Sequence, residues 1–220
     1  MLTLLTVAIA PSLALFSYFY LRREIAEEPS ITLFQTFVYG AVMTFPILFI
    51  QHVFEEEQLF HSIYLQQVGF TSLLEEFFKW FILLVAIYNH YDFDDAYDGI
   101  LYGASISLGF ATVENILYLF TFGLDTAMIR AFLPVSSHAL FGVVMGYYFG
   151  KAKFSEQKQN SYLLLAFIAP LTLHIAYNSI LTLDRLWVYF IIPFMLFLWW
   201  FGLTKVKHAH LLVKLKYEKS

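Results

Sequence analysis

Long apolar segments, separated by short polar connectors, repeat along the whole chain. Each segment holds about 20 residues, the length that an α-helix needs to cross about 30 Å of hydrocarbon. The alternating pattern of barrel strands is absent, and backbone groups in lipid must bond within their own segment, so we expect helices. The pattern predicts seven membrane-spanning helices, at residues 2–21, 31–54, 68–89, 99–120, 131–149, 161–182 and 187–204.

The connectors between these segments are too short to hold a soluble domain. We therefore predict an all-α, polytopic transmembrane bundle, with one domain at residues 1–204. Residues 205–220 are basic and mildly amphipathic, and we expect them to form a cytoplasmic tail on the anionic inner leaflet.

The composition is typical of a membrane protein and excludes every kind of site that needs cysteine. Hydrophobic residues make up 60% of the 220 positions and charged residues only 14%, against about 25% charged residues in soluble domains. The chain has no cysteine, which excludes disulfides, a thiol nucleophile and a thiolate metal site.

The distribution of Lys and Arg predicts an orientation. On a path of seven spans, Arg130 and Arg185 fall on one side. Ten basic residues fall on the other: Arg22, Arg23, Lys151, Lys153, Lys158, Lys205, Lys207, Lys214, Lys216 and Lys219. Because cytoplasmic loops carry the excess of positive charge, we expect the N-terminus outside and the C-terminus in the cytoplasm.

The third predicted span contains three charged residues. In the stretch LLEEFFKWFILL, Glu75, Glu76 and Lys79 interrupt a run of apolar side chains. Each charge near the centre of a membrane helix costs roughly 2.5 to 3.5 kcal/mol. Such residues are therefore candidates for function, although a charge pair that only joins helices remains an alternative for Glu76 and Lys79.

Other spans carry polar groups at a matching depth. Counted from the predicted span ends, Glu75, Glu114, His138 and His174 all lie about 9 to 12 Å below the outer interface. Because polar side chains on four helices lie at the same depth, we predict a single polar cavity between spans three and six that is open to the outer side. Asn115 and Asn178 belong to the same set of polar positions, or serve only as interhelical hydrogen-bonding residues.

Helical geometry separates the two adjacent glutamates. Glu75 and Lys79 are four residues apart and share a face, whereas Glu76 points about 100° away from Glu75. Only one glutamate can then aim straight at a narrow site. The other is expected to orient a neighbour or to pair with Lys79.

This set of side chains suits the hydrolysis of an amide by water. A buried carboxylate with charged neighbours can serve as a general base, and the two histidines can share protons or stabilise an oxyanion. Asn178, one turn from His174, supplies a further donor. Four glycines at helical spacing are expected to serve close packing rather than chemistry: Gly103, Gly109, Gly142 and Gly146.

Other plans of membrane protein fit less well. The chain has no HExxH zinc motif, no GxGD motif with paired aspartates and no GxS nucleophile, and Ser136 and Ser137 point away from His138 on a helix. An ion- or proton-coupled transporter is the first alternative, but no repeated halves are visible. The second alternative is a non-catalytic scaffold or immunity protein. Loss of one of the paired glutamates would favour it, but both Glu75 and Glu76 are present.

Four motifs occur in order on successive spans: EExxK at 75–79, FxxxEN at 110–115, HxxxG at 138–142 and HxxxN at 174–178. In these motifs, and along essentially the whole chain, the sequence resembles the PrsW intramembrane proteases of Bacillus-like bacteria. That family is grouped with the CAAX prenyl proteases and the bacteriocin-processing enzymes.

The resemblance implies a substrate and a pathway. The expected reaction is the site-1 cut in a single-pass anti-sigma factor, near its extracytoplasmic side. A site-2 protease then acts on the same substrate, and an extracytoplasmic-function (ECF) sigma factor is released. The resemblance implies that envelope stress, such as antimicrobial peptides, starts this cascade.

The resemblance also implies roles for individual residues. Glu75 becomes the base, supported by Glu76 or Lys79, and His174 with Asn178 becomes the oxyanion pair. Where prenyl proteases carry FxxxH, this chain carries Phe110 through Glu114. The assistant of the base is then either His138 or Glu114.

A metal-dependent mechanism is the alternative to a purely glutamate-based one. Zinc could be held by Glu75, Glu114, His138 and His174 with an open position for water. Lys79 argues against zinc, because an ammonium already offsets the acidic charge that a cation would neutralise. No cofactor is therefore the favoured expectation.

Overall fold

The computed structural model describes residues 2–23, 30–62, 64–155 and 157–218, with side chains from residue 5 onward except those of 124–131. Within these ranges no strand is present. The α-helices of this part of the chain are α1 (Leu2–Leu21), α2 (Ser30–Glu56), α3 (Thr71–Ile82), α4 (Ala96–Phe122), α5 (Leu124–Lys153), α6 (Gln159–Leu181) and α7 (Trp187–Tyr217). The expected all-α architecture is confirmed.

Each predicted span coincides with one of these helices. Five helical segments are long and apolar enough to cross a membrane: Ser30–Glu56, Ala96–Phe122, Phe132–Lys153, Gln159–Leu181 and Asp184–Tyr217. The first helix adds a shorter apolar stretch, Leu5–Leu21. The third span is α3 with a π-helical segment at each end, Leu65–Phe70 before it and Leu83–Ile87 after it. The protein is therefore a multi-pass helical membrane bundle, and its third helical stretch begins at Leu65 rather than at 68.

Helix α4 is buried along most of its length, and glycines bring α5 against it. A Cβ added at Gly103 would overlap the carbonyl oxygen of Gly142, and a Cβ at Gly146 would overlap that of Gly99. Small residues let helix backbones approach closely in a membrane. The packing role expected for these glycines is confirmed, and the contact sets the spacing between α4 and α5.

Helix α2 approaches α4 in the same way. A Cβ at Gly40 would overlap the carbonyl oxygen of Ile106, and a Cβ at Gly109 would overlap that of Phe37. These two contacts lie about one turn apart along α2 and α4. They fix the position of α2, and with it the side chains that the C-terminal part of α2 presents to the bundle.

The start of α4 is a polar cluster with a structural role. Asp95 is the N-cap residue, and Asp98 completes a capping box by accepting from the backbone N–H of Asp95 (2.7 Å). Nη2 of Arg23 pairs with Oδ1 of Asp98 (2.9 Å). Asp94, Asp95 and Asp98 lie close enough together to hold a cation by distance alone. Because the oxygens of Asp95 and Asp98 cap the helix and pair with Arg23, this cluster serves as the start of α4.

Basic side chains gather at this end of the bundle. Nζ of Lys153 donates to the backbone oxygens of Tyr88 (2.7 Å) and His90 (3.2 Å). Nζ of Lys216 donates to the backbone oxygen of Asp94 (2.6 Å). The ends of α5 and α7 thus meet the loop before α4, as a path of seven spans requires. The assignment of this end to the cytoplasm stays a prediction.

The two basic residues expected at the other end are only partly described. Arg185 is exposed in the short 3-10 turn Asp184–Leu186 before α7. The side chain of Arg130 lies outside the described residues, as does Lys219.

Helix α7 continues through position 204, where the sequence suggests a tail. Val206, Ala209 and Val213 are buried, and the ring of His210 stacks on that of Tyr97 with centroids 4.4 Å apart. The described part of 205–220 is therefore a helix packed on the bundle. Its expected contact with the inner leaflet stays a prediction.

Candidate active site

Glu76 is the anchor of a buried cluster on α3. Its side chain is fully buried, and its Oε1 accepts hydrogen bonds from Nζ of Lys79 (2.8 Å) and from Nδ1 of His174 (2.9 Å). Glu76 thus pairs with Lys79 and orients a histidine on α6. Both secondary roles considered for the second glutamate are present.

The hydrogen bond to Glu76 decides the tautomer of His174. A carboxylate accepts only, so Nδ1 of neutral His174 carries the proton and its Nε2 keeps a lone pair. Nε2 lies 3.9 Å from Oε2 of Glu75. The ring of Phe141 stacks on this imidazole with centroids 5.0 Å apart, which fixes the plane of the ring.

His138 has the opposite tautomer. Its Nδ1 accepts from Nζ of Lys79 (3.2 Å), so Nε2 of the neutral ring carries the proton and donates to Oε2 of Glu114 (3.1 Å). The same Nε2 lies 4.0 Å from Oε2 of Glu75. His138 and Glu114, which the sequence leaves as alternatives, are hydrogen-bonded partners.

Phe110 explains the aromatic position of the FxxxEN motif. Nζ of Lys79 lies 4.4 Å from the centroid of the Phe110 ring, in a cation–π contact. The same ring meets His138 edge-on, with centroids 5.5 Å apart. Phe110 therefore holds the ammonium beside the imidazole.

Glu75 has one oxygen held and one oxygen open. Nε2 of Gln51, on α2, donates to its Oε1 (3.2 Å). Its Oε2 is buried and has no hydrogen-bond partner among the described residues. That oxygen faces the Nε2 atoms of His138 and His174 at 4.0 and 3.9 Å. A single water molecule fits such gaps as a bridge between polar groups.

Gln51 was not predicted from the sequence. It lies three residues from the end of the predicted span 31–54, where a polar side chain is ordinary. A signal for it exists in retrospect, because Gln51 continues the inward face of α2 after Thr44 and Ile47 at helical spacing.

The predicted polar cavity between spans three and six is present, and its opening to the outer side stays a prediction. A cavity of about 270 Å³ lies between α3, α4, α5 and α6, at the end of the bundle away from Arg23 and Lys153. Six predicted residues line it: Glu75, Glu114, Asn115, His138, His174 and Asn178. A second cavity of about 540 Å³ reaches Glu75 and Glu114 from the side of α2 and is also lined by Gln51.

The remaining polar residues near the cavity have structural bonds. Nδ2 of Asn115 donates to the backbone oxygen of Ala8 (2.9 Å), which ties α4 to α1. Nδ2 of Asn178 donates to Oγ of Ser72 (3.0 Å). Oγ of Ser137 donates to the backbone oxygen of Pro134 (2.8 Å), which agrees with the expectation that it is not a nucleophile.

Three donors could hold a metal ion. Ligand atoms of Glu75, His138 and His174 lie within 4.8 Å of one another, whereas Glu114, the fourth ligand expected for zinc, is not part of this group. The open Oε2 of Glu75 and the Glu76-bonded His174 suit a zinc site with a carboxylate behind its histidine. The donor set therefore fits zinc in number and type, provided that His138 gives up its bond from Lys79.

Comparison with known proteins finds close relatives of nearly equal length. Protease PrsW of Bacillus subtilis (strain 168) is 49% identical over 210 residues, which cover 95% of this chain and 96% of the relative. Protease PrsW of Geobacillus kaustophilus (strain HTA426) is 49% identical over 209 residues, covering 95% and 93%. Protease PrsW of Clostridioides difficile (strain 630) is 30% identical over 217 residues, covering 94% and 91%. No solved structure matches the chain.

The family comparison agrees with these relatives. The model of the PrsW family intramembrane metalloprotease matches residues 28–202, which include α3 to α6 and every residue of the cluster. The protease class predicted from the sequence is confirmed, and the transporter and scaffold alternatives are set aside. The chain belongs to the PrsW family of intramembrane metalloproteases.

Proposed function

We propose that this protease makes the site-1 cut in a single-pass anti-sigma factor, near the extracytoplasmic side of that substrate. The substrate follows from the resemblance to the PrsW proteases, and the observation that carries the catalytic part of the proposal is the open Oε2 of Glu75, buried between two histidine Nε2 atoms at 3.9 and 4.0 Å. A buried carboxylate oxygen without a hydrogen-bond partner is costly even with the ammonium of Lys79 4.0 Å away, and a catalytic base is a reason to retain it.

The position of the cavity supports a cut on the outer side. The cavity lies at the opposite end of the bundle from Arg23, Lys153 and Lys216. If these basic residues face the cytoplasm, as the positive-inside rule predicts, Glu75 faces the outer leaflet. The N-terminus is then outside and the C-terminus is in the cytoplasm.

Glu75 activates the attacking water. Oε2 of Glu75 accepts a proton from water while the lone pair of Nε2 on His174 orients that water. The water oxygen bonds to the carbonyl carbon of the peptide as its proton passes to Glu75. General-base catalysis of this kind contributes about 100- to 10,000-fold.

Donors on the other side of the cavity stabilise the oxyanion. The resemblance pairs His174 with Asn178 in this role, but neutral His174 has committed its proton to Glu76. We therefore assign the role to the side-chain amide of Asn178, which has a second N–H besides the one that bonds Ser72, and to the Nε2–H of His138, which must shift from Glu114 to the oxyanion. When the tetrahedral intermediate collapses, the C–N bond breaks and Glu75 returns the proton to the amine nitrogen.

The mechanism that we propose needs no metal. Bound zinc would supply an activated water and polarise the carbonyl, and Glu75, His138 and His174 would hold it. For His138, that role requires a free lone pair on Nε2 and a proton on Nδ1. The ammonium of Lys79 at 3.2 Å from Nδ1 favours the reverse tautomer.

Metal removal tests this choice. We expect the purified protease to keep its cleavage rate after treatment with a zinc chelator, and elemental analysis to find no stoichiometric zinc in the active protein. Loss of activity with chelator, its return with added zinc, and one zinc per chain would contradict the metal-free mechanism.

The substrate assignment can be tested in cells. The protease is co-expressed with a single-pass anti-sigma factor that carries different tags on its two sides, in cells without the site-2 protease. We expect an anchored fragment that has lost only its outer tag, and no fragment with Glu75→Gln. Equal cutting by both proteins, or an intact substrate beside the wild type, would refute the proposal.

The downstream steps follow from such a cut. The shortened anti-sigma factor becomes the substrate of a site-2 protease, and the ECF sigma factor is released in response to envelope stress or antimicrobial peptides. We therefore expect a reporter of that sigma factor to respond to the wild type only when the site-2 protease is present.

A further inference from the structure

We propose that Gln51 is a positioning residue for Glu75. It holds Oε1 of the carboxylate so that Oε2 faces the histidines. This proposal rests on the proposed function, in which Glu75 is the base. The carrying observation is the bond from Nε2 of Gln51 to Oε1 of Glu75 (3.2 Å), which comes from a helix outside the four that form the polar cavity.

The inward face of α2 delivers Gln51 to the site. Thr36, Gly40, Thr44 and Ile47 are buried along this face, and Gln51 continues it at the next helical position. The close contacts of Gly40 with Ile106 and of Phe37 with Gly109 hold α2 against α4. They lie about 16 and 21 Å from Gln51 along the helix axis. Gln51 therefore contacts Glu75 from a helix whose position is fixed by its packing on α4.

Gln51 and the histidines meet Glu75 from different sides. Gln51 lines the cavity of about 540 Å³ next to α2 and not the cavity of about 270 Å³. His138 and His174 line only the smaller cavity, and Glu75 lines both. With Oε1 held on one side, the carboxylate has its open oxygen on the side where water and the histidines meet.

The chemistry of an amide suits this task better than the alternatives. An N–H donor binds a carboxylate without adding charge, so Glu75 keeps its ability to take a proton. A carboxylate at position 51 would repel Glu75, and an apolar side chain would let the carboxylate rotate. Misplacement of a reacting group by about 1 Å can cost about 100-fold in rate.

The test compares variants at position 51 in the purified, full-length protease. Gln51→Met keeps the length of the side chain and removes the donor, and Gln51→Glu keeps the shape and reverses the polarity. We expect kcat to fall about 10- to 100-fold for Gln51→Met and further for Gln51→Glu, with KM nearly unchanged. Gln35→Met, at an exposed position of the same helix, is the matched control and is expected to behave as the wild type.

The outcomes separate this proposal from the proposed function. If Glu75→Gln is inactive while Gln51→Met cuts as fast as the wild type, the positioning role is wrong and Glu75 remains the base. If Gln51→Met raises KM and leaves kcat unchanged, Gln51 binds substrate instead and the proposal is overturned. If Glu75→Gln cuts normally, the proposed function itself fails. A value of kcat for Gln51→Glu equal to that of the wild type would also contradict the donor role.

Discussion

Glu75→Gln is expected to lower the rate of peptide cleavage by about 1,000-fold or more. The change replaces the carboxylate whose Oε2 faces both histidines, and which can take a proton from water, with an amide that cannot. General-base catalysis contributes about 100- to 10,000-fold, and no other buried carboxylate of the described cluster has an oxygen facing both histidines. The rate is measured with purified protein in proteoliposomes, from single-turnover cleavage of a tagged anti-sigma factor.

The same variant is expected to fold as well as the wild type. Oε2 of Glu75 has no hydrogen-bond partner to lose, and the amide oxygen of glutamine can still accept from Gln51. The unfolding midpoint in detergent should therefore change little. Glu57→Gln, at an exposed acidic position after α2, is the matched control and should change neither rate nor midpoint.

The variant Glu76→Gln is expected to differ from Glu75→Gln in its effect on stability. Glu76 accepts from both Lys79 and His174 and is fully buried. Its neutralisation leaves the ammonium of Lys79 without its closest counter-charge, so stability and activity should fall together. An equal loss of stability in the Glu75 and Glu76 variants would show that the two roles have been assigned wrongly.

The meeting of the polar groups could be predicted from the sequence for a physical reason. Charged side chains are so costly in hydrocarbon that groups at one depth on neighbouring helices must share a site. Glu75, Glu114, His138 and His174 satisfied that condition, and the structure gathers them around one cavity. The helices themselves were equally predictable, because a backbone in lipid has few alternatives.

The hydrogen-bond partners of the individual side chains could not be predicted from the sequence. Glu75 and Glu76 are adjacent and chemically alike, and only the packing of α6 on α3 gives His174 to Glu76 and leaves Glu75 open. The pairing of His138 with Glu114 likewise depends on the spacing of α4 and α5. Gln51 could not be predicted because its spacing shows which residues share its face of α2, whereas the contact of α2 with α4 decides that this face points inward.

Because the site depends on the spacing of α4 and α5, Gly103→Ala is expected to destabilise the protein strongly. A Cβ at Gly103 would overlap the backbone carbonyl of Gly142 on α5, and no side-chain rotation can relieve that contact. Overpacking of a core costs about 1 to 3 kcal/mol, and more where backbone must move. We expect a loss of about 3 kcal/mol in the free energy of unfolding, measured by denaturant titration in detergent micelles.

Two other glycines provide graded controls. A Cβ at Gly69 meets nothing within 4 Å, so Gly69→Ala should leave stability nearly unchanged. A Cβ at Gly202 would meet Cδ2 of Leu140 at 2.7 Å, which is the far end of a flexible side chain. Gly202→Ala should therefore cost less than Gly103→Ala. Equal stability of all three variants would show that the contact of α4 with α5 is not as tight as the glycines indicate.

The spacing of α4 and α5 also bears on the chemistry. Glu114 is carried by α4 and His138 by α5, and their bond of 3.1 Å spans the gap that the glycines set. If a methyl group at Gly103 pushes the helices apart, Nε2 of His138 moves away from Glu114. We therefore expect Gly103→Ala to lose cleavage activity even at temperatures where it stays folded. A folded variant with normal activity would mean that the contact between His138 and Glu114 tolerates separation of the helices.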